Sequence, residues 1–184
     1  PIRLVHAPEM LTIHDKGEDL VMKARHREAQ NSMAVGLDLV KSGKADAFIT
    51  MGNTGAAMVT SLFRLGRIRG VARPALAGPF PTSTGICTVL DIGVNPDCEP
   101  ANLLQFGIMG SAYAEKVRGI QHPRIGLISN GEEAGKGSEL VKAAYPLLAN
   151  AKLNFAGNVE GKEIFDGNVD VAVTDGFTGN VFLK

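Results

Sequence analysis

Residues 88–137 read TVLDIGVNPDCEPANLLQFGIMGSAYAEKVRGIQHPRIGLISNGEEAGKG. Thr88–Ile92 is a short apolar run with β-branched members, which reads as a buried strand. Pro100 suits the first turn of a helix, and the helix runs to about Arg118. Along it, Leu103, Leu104, Phe106, Gly107, Met109, Gly110 and Ala114 alternate bulk with small residues that permit close packing. Arg124–Ser129 is a second apolar strand. Strand, helix, strand in this order argues for a largely parallel sheet with helices on its faces.

The pattern extends in both directions. Downstream, Gly137–Ala149 reads as a helix, and Leu153–Ala156 and Val169–Thr174 as strands. Upstream, Ala75–Gly78 reads as a strand, joined to Thr88 by PFPTSTG, a loop or hairpin. Asp46–Thr50 is a short apolar strand, Gly52–Gly55 a turn, and Ala56–Leu65 a helix. Met33, Leu37 and Val40 recur at helical spacing, with Asn31 and Ser32 as caps and Gly43 as the stop. Lys16–Arg27 is charged and reads as helical or irregular, and Ile2–Val5 is a strand. No repeat or linker interrupts the chain, so residues 1–184 are expected to form a single α/β domain. The missing Met at Pro1 and the stop at Lys184 make it an expected part of a longer enzyme.

Of 184 residues, 45% are hydrophobic, as a packed domain requires. Nineteen basic side chains balance nineteen acidic ones, so nothing global favours nucleic acid, and a charged partner needs a local patch. Cys87 and Cys98 have no metal spacing and are expected to be reduced, as in a cytosol. No apolar run reaches the ~18 residues of a spanning helix.

In an open parallel sheet, ligands bind beyond the carboxyl ends of the strands. The segments there are GNTGA (52–56), Gly93–Val94–Asn95–Pro96–Asp97, NGEEAGKG (130–137), GNVEG (157–161) and DGFTGN (175–180). All are rich in Gly, Asn and acid. Glycine lets backbone N–H groups approach an oxyanion, and Asn adds a neutral donor without repelling it. Each loop alone reads more readily as an ordinary turn or cap, and it is their number on one rim that points to a ligand. There is no GxGxxG after a strand, no GxxxxGK[ST], no HExxH and no GxSxG, so dinucleotide, P-loop, metalloprotease and nucleophile-elbow chemistry lack support.

Several strings occur in one order: ADAFITMGNTGAAM, RPALAGPFPT, LDIGVNPDCEPANLLQFGIMGSAYAE, GLISNGEEAGKG and NFAGNVEGKEIFDGNVDVAVTDGFTGNVFLK. Together they closely resemble the PlsX family, the phosphate acyltransferases of bacterial phospholipid synthesis, from about His6 to Lys184. The resemblance implies transfer of a fatty-acyl group from acyl carrier protein to inorganic phosphate; with no metal or nucleotide motif in the sequence, no cofactor or metal is expected. It implies a three-layer α/β/α sandwich related to isocitrate and isopropylmalate dehydrogenases. It also implies a homodimer in the cytoplasm, peripherally associated with the membrane through segments outside this chain. The family's usual Gly-Ala-Asn stands here as Gly93–Val94–Asn95, and its Ser-Ala-Gly-Asn as Thr50–Met51–Gly52–Asn53.

Phosphate is itself an anionic nucleophile, so the expected site positions it and stabilises an oxyanion. Gly52, Asn53, Thr54 and Gly55 are the expected phosphate turn, with Lys136 and Lys184 countering charge. Asn95, Asn158 and Asn180 are expected to orient phosphate or carbonyl, and Asp91, Glu132 and Asp175 to position those donors. His6, a lone histidine beside a strand, reads as structural. Arg64, Arg67, Arg69 and Arg73 are the expected docking patch for acidic carrier protein. The alternatives are a short-chain phosphotransacylase using acyl-coenzyme A and a non-catalytic binding domain.

Overall fold

Asn31 and Asn53 each close an irregular stretch and start a helix. The Asn31 side chain accepts from Ala34 N–H at 2.9 Å, and that of Asn53 from Ala56 N–H at 3.1 Å. A capped first turn of this kind is the usual answer to orphan N–H groups. The computed structural model describes residues 2–12, 14–26 and 28–184. The chain divides into two compact units, Pro1–Arg69 and Gly70–Lys184.

The first unit holds α1 (Gly17–Arg25), α2 (Ser32–Lys41) and α3 (Thr54–Arg64). Leu20, Met33 and Ala56 meet in its small core. Lys23 bridges Asp15 at 2.5 Å and Asp19 at 2.9 Å. That hydrogen bond from Lys23, with two from Thr12, holds the Asp15 carboxyl well below the usual carboxylate range. Arg27, the last residue of the expected first helix, lies outside the described residues.

Two expected strands of this unit are absent. Ile2–Val5 and Asp46–Thr50 have no ladder partner, and Ile2, Leu4 and Ile49 are almost fully exposed. β-branched apolar residues fit a pleated surface, but a strand also needs a neighbour for its backbone groups. Neither segment finds one among the described residues.

The second unit contains β1 (Ala77–Thr82), β2 (Gly85–Leu90), α4 (Pro100–Arg118), β3 (Arg124–Ile128), α5 (Glu139–Ala149), β4 (Asn154–Val159), α6 (Gly161–Phe165), β5 (Val171–Val173) and α7 (Gly176–Leu183). They build a five-stranded sheet in the order β1-β2-β5-β3-β4. β1 and β2 form an antiparallel hairpin, and every other pairing is parallel. The expected α/β class with a mainly parallel sheet is therefore observed.

Alternation along the strands separates two cores. Leu90, Ile125, Leu127, Val171 and Val173 pack beneath α4 and α5 with Leu103, Phe106, Val141 and Leu148. On the other face Cys87, Val89, Ile128, Val159 and Ala172 pack with Ile164 of α6 and Phe182 of α7. Helices thus cover both faces. α7 covers a segment expected to be loop, because Asp175 caps it through Thr178 N–H at 2.9 Å.

At the amino end of the sheet, Arg124 donates Nε–H and Nη2–H to the two Asp170 oxygens, each at 3.1 Å. Burial pushes the Asp170 carboxyl up, but these bonds outweigh it and its net pKa is lowered. Arg118 adds hydrogen bonds to Thr88 and to the Asp170 and Ile86 carbonyls.

Candidate active site

β2, β5, β3 and β4 run parallel, so their carboxyl ends form one rim. The Asp91–Asn95 turn, residues 174–180, the loop 129–137 and Glu160 follow these ends. Four of the five expected loops therefore share a rim. The fifth, Gly52–Ala56, belongs to the N-terminal unit.

Asp91 organises the first turn. It is fully buried, and its Oδ1 accepts from Leu76, Gly93 and Val94 N–H at 3.1 Å each. Oδ2 accepts from the backbone and side-chain nitrogens of Asn95, both at 2.7 Å. A buried carboxylate is tolerable only when so thoroughly bonded. Asn95 is spent in the same way: its Nδ2 also donates to the Pro74 carbonyl at 2.8 Å. The expected ligand-orienting role does not fit an amide whose two N–H groups both serve the turn.

The start of α7 lies directly on this turn. A Cβ at Gly176 would stand 2.6 Å from Asn95 N, and one at Gly179 only 1.8 Å from the Asp91 carbonyl oxygen. Glycine is required at both for contact of backbone with backbone. The approach lets Gly176 N–H donate to Asn95 O at 2.8 Å. It also sets the exposed Asn180 beside Gly93. Asp175 caps α7 through Thr178 N–H and Oγ1–H.

On the far side of β5, Asn158 is a residue of β4, whereas it was expected in a loop. It donates Nδ2–H to the Glu133 carbonyl at 2.8 Å and so ties the loop down. Its Oδ1 and the hydroxyl of Ser129 are buried without a hydrogen-bond partner. Each such orphan costs about 1–3 kcal/mol, so a guest with matching groups gains most here. Glu132 and Lys136 are exposed on the loop. The stem of Lys136 folds back over Gly131, whose Cβ would meet it at 2.9 Å.

Lys184 caps the far end of α7, about 12 Å of helix from the rim at ~1.5 Å per residue. It was expected next to the rim because Asp175–Asn180 read as a loop; the helix carries it away. Cys98 donates to Asn95 O at 3.3 Å. Burial pushes its thiol up to about 11, so it carries a proton at neutral pH and is no nucleophile there.

Among the N-terminal unit's expected residues, Asn53 is the cap of α3, while Gly52, Thr54 and Gly55 are exposed. Arg64 is no open docking residue. It pairs with Asp38 at 3.0 Å and donates to the His26 and Ala29 carbonyls at 3.1 and 3.0 Å. Asp38 on α2 and the two carbonyls before that helix draw it inward. Arg67 and Arg69 are exposed, and Arg73, in the second unit, donates to the Asp97 carbonyl at 3.0 Å. Sequence reasoning missed Ser129, which precedes the Gly-rich loop as the last residue of its expected strand. It also missed α7, for which Asp175 three residues before Thr178 is a cap signature.

A family model described as fatty acid synthesis protein matches residues 1–184. The chain belongs to this family. Members similar to it include the phosphate acyltransferase of Pelotomaculum thermopropionicum, 50% identical over all of this chain and 52% of that protein. The phosphate acyltransferase of Elusimicrobium minutum is 50% identical over 97% of this chain and 51% of its own length. This fatty acid synthesis family chain thus spans about half the length of the curated relatives it matches. The resemblance to phosphate acyltransferases in the sequence is borne out. Among solved structures, EutD phosphotransacetylase from Staphylococcus aureus superposes with a TM-score of 0.62, covering 89% of this chain and 60% of that one. At 18% identity that likeness concerns the fold alone. No helix among the described residues is long and apolar enough to cross a membrane.

Proposed function

We propose that the chain is part of a phosphate acyltransferase that moves a fatty-acyl group from acyl carrier protein to inorganic phosphate for phospholipid synthesis. The observation that carries this reading is its 50% identity, over the whole chain, to proteins named phosphate acyltransferase. The rim fits the chemistry. A phosphate oxygen attacks the thioester carbonyl carbon, the carbon–sulfur bond breaks, and the thiolate leaves and takes a proton as the free carrier thiol. No protein nucleophile is needed. The rim's part is to place a dianion against an electrophile and to stabilise the tetrahedral oxyanion.

In this reading Lys136 supplies charge to the phosphate, and Asn180, held beside the Asp91–Asn95 turn, donates to phosphate or carbonyl. Asp91, Asn95 and Asp175 build the surfaces that present it, and Glu132 positions its loop. In the N-terminal unit, the exposed N–H groups of Thr54 and Gly55 at the start of α3 suit an oxyanion. Arg67 and Arg69 remain the residues proposed to meet the acidic carrier. The enzyme is proposed to be a cytoplasmic homodimer that meets the membrane peripherally through other segments, with no cofactor.

The test uses the full-length enzyme with acyl-[acyl carrier protein] and phosphate, trapping acyl phosphate with hydroxylamine. The expected result is phosphate-dependent hydroxamate formation with a much higher kcat/KM for the carrier-protein donor than for acyl-coenzyme A. Turnover with acyl-coenzyme A alone would make it a coenzyme A transacylase. Phosphate binding without turnover of either donor would leave a binding domain.

A further inference from the structure

Ser129 Oγ and Asn158 Oδ1 share one face of the sheet. Leu127 pairs with Asn158, and Ile128 with Val159. Ile128 and Val159 lie in the core beneath α6 and α7, whereas Leu127 lies in the core beneath α4 and α5. Ser129 directly follows β3 and its N–H donates to Val159 O at 3.0 Å, so alternation carries on through it and places Ser129 and Asn158 on the Leu127 face at the carboxyl rim. Both atoms are buried and neither has a hydrogen-bond partner.

The orientation of the amide follows from chemistry. Asn158 Nδ2 lies 2.8 Å from the Glu133 carbonyl, which only accepts, so the nitrogen must face it and Oδ1 must point elsewhere. A residue only 4% exposed therefore presents a bare acceptor on the same face of the sheet as a hydroxyl that donates or accepts. Negative oxygens alone cannot satisfy such a pair; a guest needs at least one hydrogen to give, and the hydroxyl can then serve an oxygen of the same guest.

We infer that Asn158 and Ser129 select a protonated oxyanion. The P–OH of hydrogen phosphate donates to Asn158 Oδ1, while an adjacent phosphate oxygen accepts from Ser129 Oγ–H. The inference rests on phosphate being the acceptor substrate, as proposed above. Sulfate carries no proton at neutral pH, so it leaves Asn158 Oδ1 unsatisfied and faces its partial negative charge. Asn130 and Glu132–Lys136 are exposed along the loop above the two atoms, which makes the loop side the route in. The lysine charge attracts either anion; the amide acceptor tells them apart.

The experiment measures competition with phosphate in the full-length enzyme, by initial rates and by calorimetric binding. Monofluorophosphate matches hydrogen phosphate in shape and charge but has no proton to donate at neutral pH. It and sulfate are expected to bind at least about tenfold more weakly than phosphate, one hydrogen bond to a charged group. Asn158→Ala should bring the three affinities within a few-fold of one another. Ser129→Ala, which leaves the tie to Glu133 intact, should weaken all three alike. Equal binding of phosphate and monofluorophosphate by the unaltered enzyme overturns the inference, whatever the variants do, and leaves the phosphate reading standing. Absence of phosphate binding and of acyl phosphate overturns both.

Discussion

At the amino end of the sheet, Arg124 meets Asp170 through two side-chain bonds at 3.1 Å and a backbone bond at 2.8 Å. At the carboxyl end, a fully buried Asp91 accepts five N–H groups and pairs with no cation among the described residues. Both ends hold a carboxylate, yet one is paired with a guanidinium and the other is solvated by neutral amide N–H groups. The amino end is closed: charge meets charge, and every bond serves the fold. The carboxyl end is built by close backbone approach at Gly176 and Gly179, and it leaves the polar atoms of Ser129 and Asn158 unpaired. A structural end satisfies its own groups, whereas an end built for a ligand leaves some groups for the ligand to satisfy.

The contrast can be broken most severely at Gly179. Gly179→Ala puts a methyl group into the Asp91 carbonyl, where only backbone movement relieves it. A loss of about 3 kcal/mol or more in urea unfolding is expected, with loss of activity. An unchanged midpoint would mean that α7 does not rest on the turn. Asp91→Asn is next. It turns an acceptor into a donor facing the nitrogens of Asn95, and about 2–3 kcal/mol should go. Retained stability would show that the amides do not depend on the carboxylate charge.

Arg124→Met probes the other end and should cost only about 1 kcal/mol, since the arginine is half exposed. Its pH dependence sharpens the comparison. The folded pKa of Asp170 lies below its ordinary value, so the stability it contributes is complete above about pH 4 and is lost as pH falls through the lower folded value. The gap between wild type and Arg124→Met should therefore be constant near neutrality and close in acid. A gap that widens in acid would contradict the assignment. The smallest effect concerns the thiols. Burial raises Cys87 to about 12 and Cys98 to about 11, so alkylation at pH 8 should be far slower than for a free thiol.

Much of the second unit was legible. Pro100, the small residues of α4 and the apolar run that follows Arg124 mark a strand–helix–strand unit by local rules alone, and α4 begins and ends where the sequence places it. Ile2–Val5 and Asp46–Thr50 were not legible as irregular, because a β-branched composition says nothing about whether a partner strand exists. α7 was hidden by its glycines, which signal turns locally but here serve contact with residues some eighty positions earlier. For the same reason Asn95 read as a ligand residue: nothing in the sequence near it reveals that Asp91 and Pro74 already claim its amide. Asn158 read as a loop residue just past a strand, whereas β4 includes it, and its orphaned oxygen depends on the Glu133 carbonyl across the loop.

The account stands on the claim that phosphate is held at the carboxyl rim and not at the amino end. The most direct measurement is the phosphate KM of the full-length enzyme carrying Lys136→Met beside one carrying Arg124→Met. Removing the rim lysine should raise that KM about tenfold or more, one charge-assisted hydrogen bond, while Arg124→Met leaves it within a factor of two of wild type. Equal KM values for the two variants, or a larger rise for Arg124→Met, would contradict the claim.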